Sequence, residues 1–280
     1  MKRTVLFALL ALMFVQQATA GPWLKSVSAA QKKAKEKNQL IFVDLFADWC
    51  GWCHRMEQEV FPSETFQRAT DNMVLLRLNT EDGAEGSKFA QKYQVSSLPT
   101  FLMLTPELNV AGMIRGYSPA KEFVSSMKDN ETSYRKFEKL AASESTFAKD
   151  YQKRLDLALE FRSRGALSDA EPRFKKLVAE SGVPGAIRDQ AFYELAVVQL
   201  LQNRPGDATD TIGNFAKVQK RGEWYERSRV LQAQIYSGLG NFMSAVTELR
   251  NFKKNFPNSP LINMVDSMLP DLEKRLSASK

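Results

Sequence analysis

Residues 41–54 decide the fold, and they read Ile-Phe-Val-Asp-Leu-Phe-Ala-Asp-Trp-Cys-Gly-Trp-Cys-His. The first six residues form an apolar run that predicts a buried strand. Cys50 and Cys53 follow at the point where a helix should begin, and a thiol pair two residues apart can close and open as a disulfide within one helical turn. They are the only two cysteines in the 280-residue chain. The stretch therefore predicts electron transfer through sulfur.

Residues 1–20 predict an export signal. Lys2 and Arg3 precede a short apolar stretch, and small residues at the end, up to Ala20, suit a signal peptidase. The stretch is too short to span a bilayer, and no later segment approaches the roughly 20 apolar residues of a membrane helix. We therefore expect cleavage near Ala20, a periplasmic or secreted protein, and no stable membrane insertion.

Composition and charge narrow the class of protein. A chain that is 44% hydrophobic and 25% charged is typical of folded proteins, and about 260 residues suffice for two domains. The formal charge of +7 falls to +5 without the two cations of the signal. The densest basic segment, residues 31–37, predicts a solvated helix face, and no nucleic-acid partner is expected. Both cysteines of an exported chain stand in one motif, which favours active chemistry over a disulfide framework.

Residues 24–127 alternate between strand-like and helical patterns. Strands are predicted near residues 40–46, 73–78, 100–104 and 110–115, and helices near residues 26–37, 50–61, 85–93 and 119–127. Strands interleaved with helices imply a sheet that is covered on both faces. The unbroken apolar runs of the central strands agree with that arrangement.

This segment resembles a thioredoxin fold. It is most similar to the C-terminal thioredoxin-like domain of the DsbD family of periplasmic reductases, through residues 43–50, 76–79 and 95–101 and through Gly116. The resemblance implies an α/β thioredoxin fold for residues 21–128. It also implies a redox-active disulfide as the only electron carrier, with no further cofactor.

Cys50 is the predicted nucleophile and Cys53 the resolving thiol. At a helix N-terminus, Cys50 faces unpaired N–H groups and the positive end of the helix dipole, which stabilise a thiolate. Cys53, one turn later, would resolve the mixed disulfide by attacking Cys50. A structural disulfide that never turns over is the alternative. No metal is expected, since one cysteine pair and one histidine leave a zinc site short of ligands.

Asp44 lies six residues before Cys50, at a position where the thioredoxin family has a buried acid. Burial would raise its pKa, so that it can relay a proton to or from Cys53. A solvated aspartate at a strand edge is the alternative. Arg77 occupies a position where thioredoxins often carry a lysine, and we expect it to be an electrostatic partner of Asp44 that keeps its proton.

Leu98 and Pro99 resemble the cis-proline segment of the fold, which implies a role in docking an extended substrate strand. An ordinary trans proline at a strand start is the alternative. Trp52 is expected to offer apolar surface to substrates. Gly51 and Trp52 also separate the cysteines and tune thiolate stability, and the direction of exchange does not follow from their identity.

His54 allows a different interpretation of the motif, because Cys-x-x-Cys-His is also the attachment pattern of c-type haem. His54 would then be the proximal iron ligand, with Met103 or Met113 as the distal one. That reading leaves the preceding strand, Asp44 and the proline segment without a role. We therefore expect His54 to tune thiolate stability or to lie on the surface.

Residues 150–280 predict an all-α domain of helical repeats. Three pairs of alanines stand twelve residues apart, with successive pairs offset by 38 and 37 residues: Ala158 and Ala170, Ala196 and Ala208, Ala233 and Ala245. Small residues at helix crossings, each followed by a bulky residue one turn later, suit stacked helical hairpins. The pattern resembles tetratricopeptide repeats, which implies a groove for a protein partner. Residues 129–149 are expected to be a linker or a connecting helix.

Two functional hypotheses follow. The first is an exported thiol–disulfide oxidoreductase that acts on disulfide-containing client proteins, recruits a partner through the repeats, and exchanges electrons with a separate donor or acceptor protein. The second is a scaffold or chaperone-like binding protein in which the repeats do the main work and the thiols are ancillary.

Overall fold

The computed structural model of the chain describes residues 22–278. The predicted signal peptide and its cleavage site lie outside the described residues. The chain divides into two compact units, with the boundary between Thr132 and Ser133. No helix within residues 22–278 combines the length and the apolar character needed to cross a membrane.

The first unit is built on a four-stranded sheet in the order β2-β1-β3-β4. The strands are β1 (Ile41–Phe46), β2 (Val74–Asn79), β3 (Thr100–Leu104) and β4 (Val110–Arg115). β1 is a central strand, parallel to β2 and antiparallel to β3. The predicted α/β thioredoxin fold is therefore confirmed for this unit.

Helices cover both faces of the sheet. They are α1 (Val27–Lys37), α2 (Gly51–Arg55), α3 (Glu64–Thr70), α4 (Glu85–Lys92) and the start of α5 (Ala120–Ala142). A π-helical segment, Met56–Val60, continues α2. Alternate residues of β1 point to opposite faces. The face of Phe42 is filled by aromatic rings, with ring centroids 4.8–6.2 Å apart, from Phe42, Phe66, Phe101 and Phe123.

Helix α5 differs from the sequence prediction. The expected end near Met127 is wrong, since α5 runs without a break to Ala142 and only then gives way to a 3₁₀ turn, Glu144–Phe147. Residues 128–142 contain neither glycine nor proline, so nothing in the backbone stops the helix. The Phe137 ring also packs 5.0 Å from the Phe161 ring and holds this part of α5 against its own unit.

The second unit consists of α-helices joined by short loops. They are α6 (Tyr151–Ser163), α7 (Leu167–Ala179), α8 (Gly185–Leu201), α9 (Pro205–Val218), α10 (Glu223–Gly238), α11 (Phe242–Asn255) and α12 (Ile262–Ala278). The short loops make successive helices antiparallel neighbours. The six alanines of the repeat pattern are fully buried, as expected where helices cross closely. This unit is consistent with helical repeats, and the tetratricopeptide assignment stays a prediction.

Gln199 lies on α8, in the middle one of the three predicted repeats, where the resemblance to tetratricopeptide repeats predicts an aromatic residue. Its side chain is buried, and Thr211 Oγ1 of α9 donates a hydrogen bond of 2.7 Å to Gln199 Oε1. The two helices are thus joined by a buried polar pair at a position where ring packing was expected. Buried polar side chains need such partners, so the departure from the repeat pattern is locally compensated.

Candidate active site

Cys50 and Cys53 are joined by a disulfide with a Cα–Cα distance of 5.2 Å. Cys50 is the N-cap of α2, with an extended backbone, and the Cys53 backbone N–H donates to Cys50 Sγ at 3.2 Å. Only 3% of Cys50 and 2% of Cys53 are exposed. After reduction, this N–H group and the helix start would stabilise negative charge on Cys50 Sγ.

The cysteines pack against Leu98 as well as Phe46 and Ala47. The Leu98–Pro99 peptide bond is cis, as the sequence predicted. Pro99 O accepts a hydrogen bond of 2.8 Å from the N–H of Gly116, which ties this segment to the end of β4. No hydrogen bond among residues 22–278 uses the N–H or C=O of Leu98. These backbone groups are therefore available to a bound strand.

Asp44 is buried in β1 with 1% of its surface exposed, so the alternative of a solvated edge position does not hold. It lies opposite Arg77 in the parallel β1–β2 pair, and Arg77 Nε is 3.1 Å from Asp44 Oδ2. This contact is an ion pair and not a directed hydrogen bond, because the Nε–H has no hydrogen-bond acceptor. Burial raises the pKa of Asp44 to about 7; Arg77 acts against this rise, and the negative charge of Glu57 adds to it.

Glu57 is a site residue that the sequence reasoning missed. Its carboxylate accepts a hydrogen bond from the Arg77 guanidinium, so Arg77 lies between two acids. The guanidinium also stacks over the Phe46 ring, with Cζ 4.1 Å from the ring centroid. The spacing offered a signal, since Glu57 follows Cys53 by four residues and such residues share one face of a helix.

His54 directly follows Cys53 on α2, and about half of its side chain is exposed. Its Nε2 is 2.9 Å from Asp48 O, a contact in which the ring N–H donates, and its Nδ1 is 3.8 Å from Glu57 Oε1. The residues do not fit c-type haem, because both sulfurs are bonded to each other and both ring nitrogens of His54 face protein oxygens. No group of three or more His, Cys, Asp or Glu side chains within residues 22–278 is arranged to hold a metal ion.

Two tryptophans border the disulfide on the surface: 69% of Trp49 and 55% of Trp52 is exposed. Trp52 stacks on Tyr117, with ring centroids 5.4 Å apart, and the Arg55 guanidinium lies 4.8 Å from the Tyr117 centroid. Glu59 accepts the Tyr117 hydroxyl hydrogen bond and pairs with Arg55. The Tyr117 hydrogen bond lowers the pKa of Glu59. We call this surface, formed by Trp52, Arg55, Glu59 and Tyr117, the aromatic shelf.

Two further observations concern predicted and missed residues. Gly51, a predicted tuning residue, begins α2 on the surface, and a side chain there would meet no neighbouring atom within 4 Å. Tyr117 was missed by sequence reasoning, although it directly follows Gly116, where the last strand of the fold ends.

A cavity of about 570 Å³ opens beside the charged network. Ten residues line it: Trp23, Lys25, Phe46, Asp48, His54, Glu57, Arg77, Leu78, Asn79 and Asp82. Arg77 and Glu57 therefore reach solvent, whereas Asp44 behind them does not. The arrangement offers the buried carboxyl a polar route to the surface.

The comparisons with known proteins agree on the first unit. Residues 27–131 match the family described as Thioredoxin-like domain. The thiol:disulfide interchange protein DsbD of Yersinia pestis is 29% identical over 99 residues, which are 34% of this chain and 17% of that protein. DsbD 2 of Pseudomonas aeruginosa is 36% identical over 75 residues, which are 26% of this chain and 13% of that protein. The chain thus matches less than a fifth of the length of these curated relatives.

Solved structures were also compared with the chain. A putative disulphide-isomerase from Bacteroides thetaiotaomicron is 30% identical, with a TM-score of 0.35 over 40% of this chain and 94% of that chain. The oxidised C-terminal domain of Neisseria meningitidis DsbD is 16% identical, with a TM-score of 0.35 over 39% of this chain and 99% of that chain. Together with the family match, the site geometry identifies residues 27–131 as a thioredoxin-like domain that carries a Cys-x-x-Cys disulfide of the thiol–disulfide oxidoreductase type.

Proposed function

We propose that the protein is an exported thiol–disulfide oxidoreductase that reduces or exchanges disulfides of client proteins through Cys50 and Cys53. The observation that carries the proposal is the disulfide at the start of α2, with buried Asp44 on the neighbouring strand and the unpaired backbone of Leu98 packed beside it. A structural disulfide would need neither a buried acid nor free backbone groups next to it.

The proposed reaction begins with the reduced site. The Cys50 thiolate attacks one sulfur of a client disulfide, which forms a mixed disulfide and releases one client thiolate. Cys53 then loses its proton and attacks Cys50 Sγ, which releases the second client thiolate and leaves the Cys50–Cys53 disulfide. Two electrons pass to the client. The proton from Cys53 neutralises one of the two client thiolates, and the other carries the negative charge that began on Cys50. A separate dithiol protein must reduce the site again for each turnover.

Asp44 is proposed to accept the proton from Cys53 during resolution. A carboxyl group with a pKa of about 7 is suited to proton exchange near neutral pH. The cavity beside Arg77 and Glu57 gives that proton a route to solvent. The pair of acids around Arg77 is therefore proposed to set the pH dependence of resolution.

Leu98, Pro99 and Trp52 are proposed to contact the client. Leu98 packs on the disulfide and keeps its backbone groups free, so an extended client strand can pair with it beside Cys50. Trp52 offers an exposed apolar face on the aromatic shelf. His54 and Gly51 are proposed to tune thiolate stability through the first turn of the same helix.

The export signal predicted for residues 1–20 supports a periplasmic location for the proposed activity. The name of the DsbD relatives, thiol:disulfide interchange protein, supports thiol–disulfide exchange, and we propose that this exchange is with other proteins. The helical unit is proposed to recruit one such protein. The part-exposed rings of Tyr193 on α8 and Trp224 on α10 lie 5.5 Å apart and would form part of that contact surface.

A trapping experiment tests the proposal. The Cys53→Ala variant of the full chain should accumulate mixed disulfides on Cys50, whereas a Cys50→Ala/Cys53→Ala control should trap nothing. A Cys53→Ala preparation with no mixed disulfides, under conditions in which a known thioredoxin trap works, would overturn the enzymatic proposal. Adding Tyr193→Ala and Trp224→Ala to the trap should reduce the set of captured proteins, and an unchanged set would reject the recruiting role.

A further inference from the structure

The second unit carries the positive charge of the chain. Residues 133–280 contain 24 Lys and Arg against 18 Asp and Glu, whereas residues 22–132 contain 13 against 14. The helical unit therefore has a net charge of +6, and the thioredoxin-like unit has a net charge of −1. The location of the excess cations within the helical unit determines what they can attract.

Antiparallel packing brings one set of helix ends together. The C-terminal ends of α7, α9 and α11 lie beside the N-terminal ends of α6, α8, α10 and α12. Contacts at these ends show this arrangement directly: Gln219 donates to Asp189 at 3.1 Å, and the Tyr225 ring lies 5.8 Å from the Phe215 ring and 6.1 Å from the Phe256 ring. We call this side of the unit the basic edge, and define it as residues 149–154, 175–189, 215–227 and 252–266.

The basic edge accounts for the whole net charge of its unit. It contains 12 Lys and Arg against 6 Asp and Glu, a net charge of +6, so the remaining residues of the unit are balanced. Away from this edge, arginines are held by carboxylates, as in Arg162 with Glu194, Arg164 with Glu160, Arg173 with Glu144, Arg204 with Glu171, Arg229 with Glu248 and Arg250 with Glu273.

Several cations of the basic edge have no such partner. Lys149, Lys220, Arg221 and Lys254 make no ion pair with any carboxylate among residues 22–278, and Lys217 bonds only to the amide oxygen of Asn214. An excess of unpaired charge on one side repels itself. We therefore expect the basic edge to bind a negatively charged partner, which would relieve this repulsion.

We propose that the basic edge binds an anionic phospholipid surface. Lysines are compact charges on flexible stems that suit a diffuse negative surface better than a shaped carboxylate site. Val218, 68% exposed, stands directly beside Lys217 and near Lys220 and Arg221, so one apolar side chain accompanies the cations into the headgroup boundary.

Nucleic acid is a poorer fit for this surface. Single-stranded nucleic acid is held by exposed aromatic rings on which bases stack. On the basic edge, the rings of Phe215, Tyr225 and Phe256 pack against one another, and the Trp224 ring packs against the Tyr193 ring. The surface therefore offers charge and the exposed apolar side chains of Val218 and Met264, and these rings already have ring partners within the protein.

The proposal predicts a measurable loss of binding. Each cation near an anionic leaflet contributes about 1 kcal/mol. Neutralising three of them, as Lys217→Gln, Lys220→Gln and Arg221→Gln together, should therefore weaken binding to phosphatidylglycerol-containing vesicles about 100-fold. All three side chains are exposed, so the fold should be preserved, which a circular dichroism melt would verify.

The test uses vesicle flotation with residues 21–280, the protein left after the expected signal cleavage, on vesicles of phosphatidylcholine alone and with about 30% phosphatidylglycerol, at about 50 mM and 300 mM NaCl. A control variant, Lys32→Gln/Lys35→Gln/Lys37→Gln, removes the same charge from exposed positions of α1. The wild type should bind only the anionic vesicles, less at high salt, and the control should stay within about twofold of it. Absence of binding, or an equal loss in both variants, would overturn the proposal. Binding to polyglutamate without binding to vesicles would assign the edge to an acidic protein and also overturn it.

Discussion

The buried acid beside the disulfide should make the first unit less stable at high pH. Burial raises the pKa of Asp44 from 3.8 to about 7. At pH values between these two pKa values, Asp44 is ionised in the unfolded chain but stays protonated in the folded protein. The free energy of unfolding therefore falls as the pH rises. The loss is about 1.4 kcal/mol for each pH unit and about 4 kcal/mol in all, and it is complete above the folded-state pKa.

Asp44→Asn removes this titration while preserving the shape of the side chain. The variant should gain stability relative to the wild type as the pH rises from 4 to 7. Above pH 7 the difference in unfolding free energy between the two proteins should stay constant, about 4 kcal/mol larger than at acid pH. The ion pair with Arg77 adds no separate pH dependence, because its effect is already contained in the folded-state pKa of Asp44, and Arg77 remains bonded to Glu57 in the variant.

Urea unfolding of the oxidised protein, followed by tryptophan fluorescence at several pH values, measures this difference. A Trp224→Phe background leaves Trp23, Trp49 and Trp52, so the signal reports on the first unit. The matched control is Asp48→Asn, which removes an exposed carboxylate from the adjacent loop and should produce no difference of comparable size. A difference between Asp44→Asn and wild type that does not vary with pH would refute the reasoning.

Two other substitutions test separate parts of the structure. Thr211→Val leaves the buried amide oxygen of Gln199 without its 2.7 Å hydrogen bond and should lower the free energy of unfolding of the helical unit by about 1–3 kcal/mol, measured by urea unfolding. The double variant Thr211→Val/Gln199→Leu should recover part of that loss. A Thr211→Val variant as stable as the wild type would contradict the prediction. Tyr117→Ala removes the ring on which Trp52 stacks, a contact worth about 0.5–1.5 kcal/mol, so KM for a protein disulfide should rise about two- to tenfold while the rate with a small aromatic disulfide stays unchanged. An equal effect on both substrates would contradict the proposed role of the aromatic shelf.

The sequence predicted most of the geometry of the candidate site because that geometry depends on residues close together in the chain. The apolar run before Cys50 requires a buried strand, and its alternation places Asp44 on the same face as Phe42. The cis bond before Pro99 followed from resemblance to a known pattern and was confirmed. Predicting these features requires only the spacing of nearby residues and the resemblance to one family.

The features that were missed depend on contacts between distant segments. Glu57 meets Arg77 only because the π-helical segment Met56–Val60 lies beside β2, and Tyr117 meets Trp52 only because the residues after β4 lie beside α2. The predicted end of α5 was wrong for a similar reason, since polar residues in its middle suggested a linker. The polar residues after Met127 do not interrupt α5, because the Phe137 ring that follows them on the same helix packs against the Phe161 ring.

The charged network explains why Asp44 can hold a proton near neutral pH although a guanidinium lies 3.1 Å away. Arg77 carries one positive charge and contacts two carboxyl groups, so it compensates only one of them. Glu57 is partly exposed to water, whereas Asp44 is buried. The uncompensated negative charge is thus removed at the site where it costs most, by protonation of Asp44. Since an arginine does not release its proton, the replacement of a lysine by Arg77 leaves the proton exchange of the buried network to this one carboxyl.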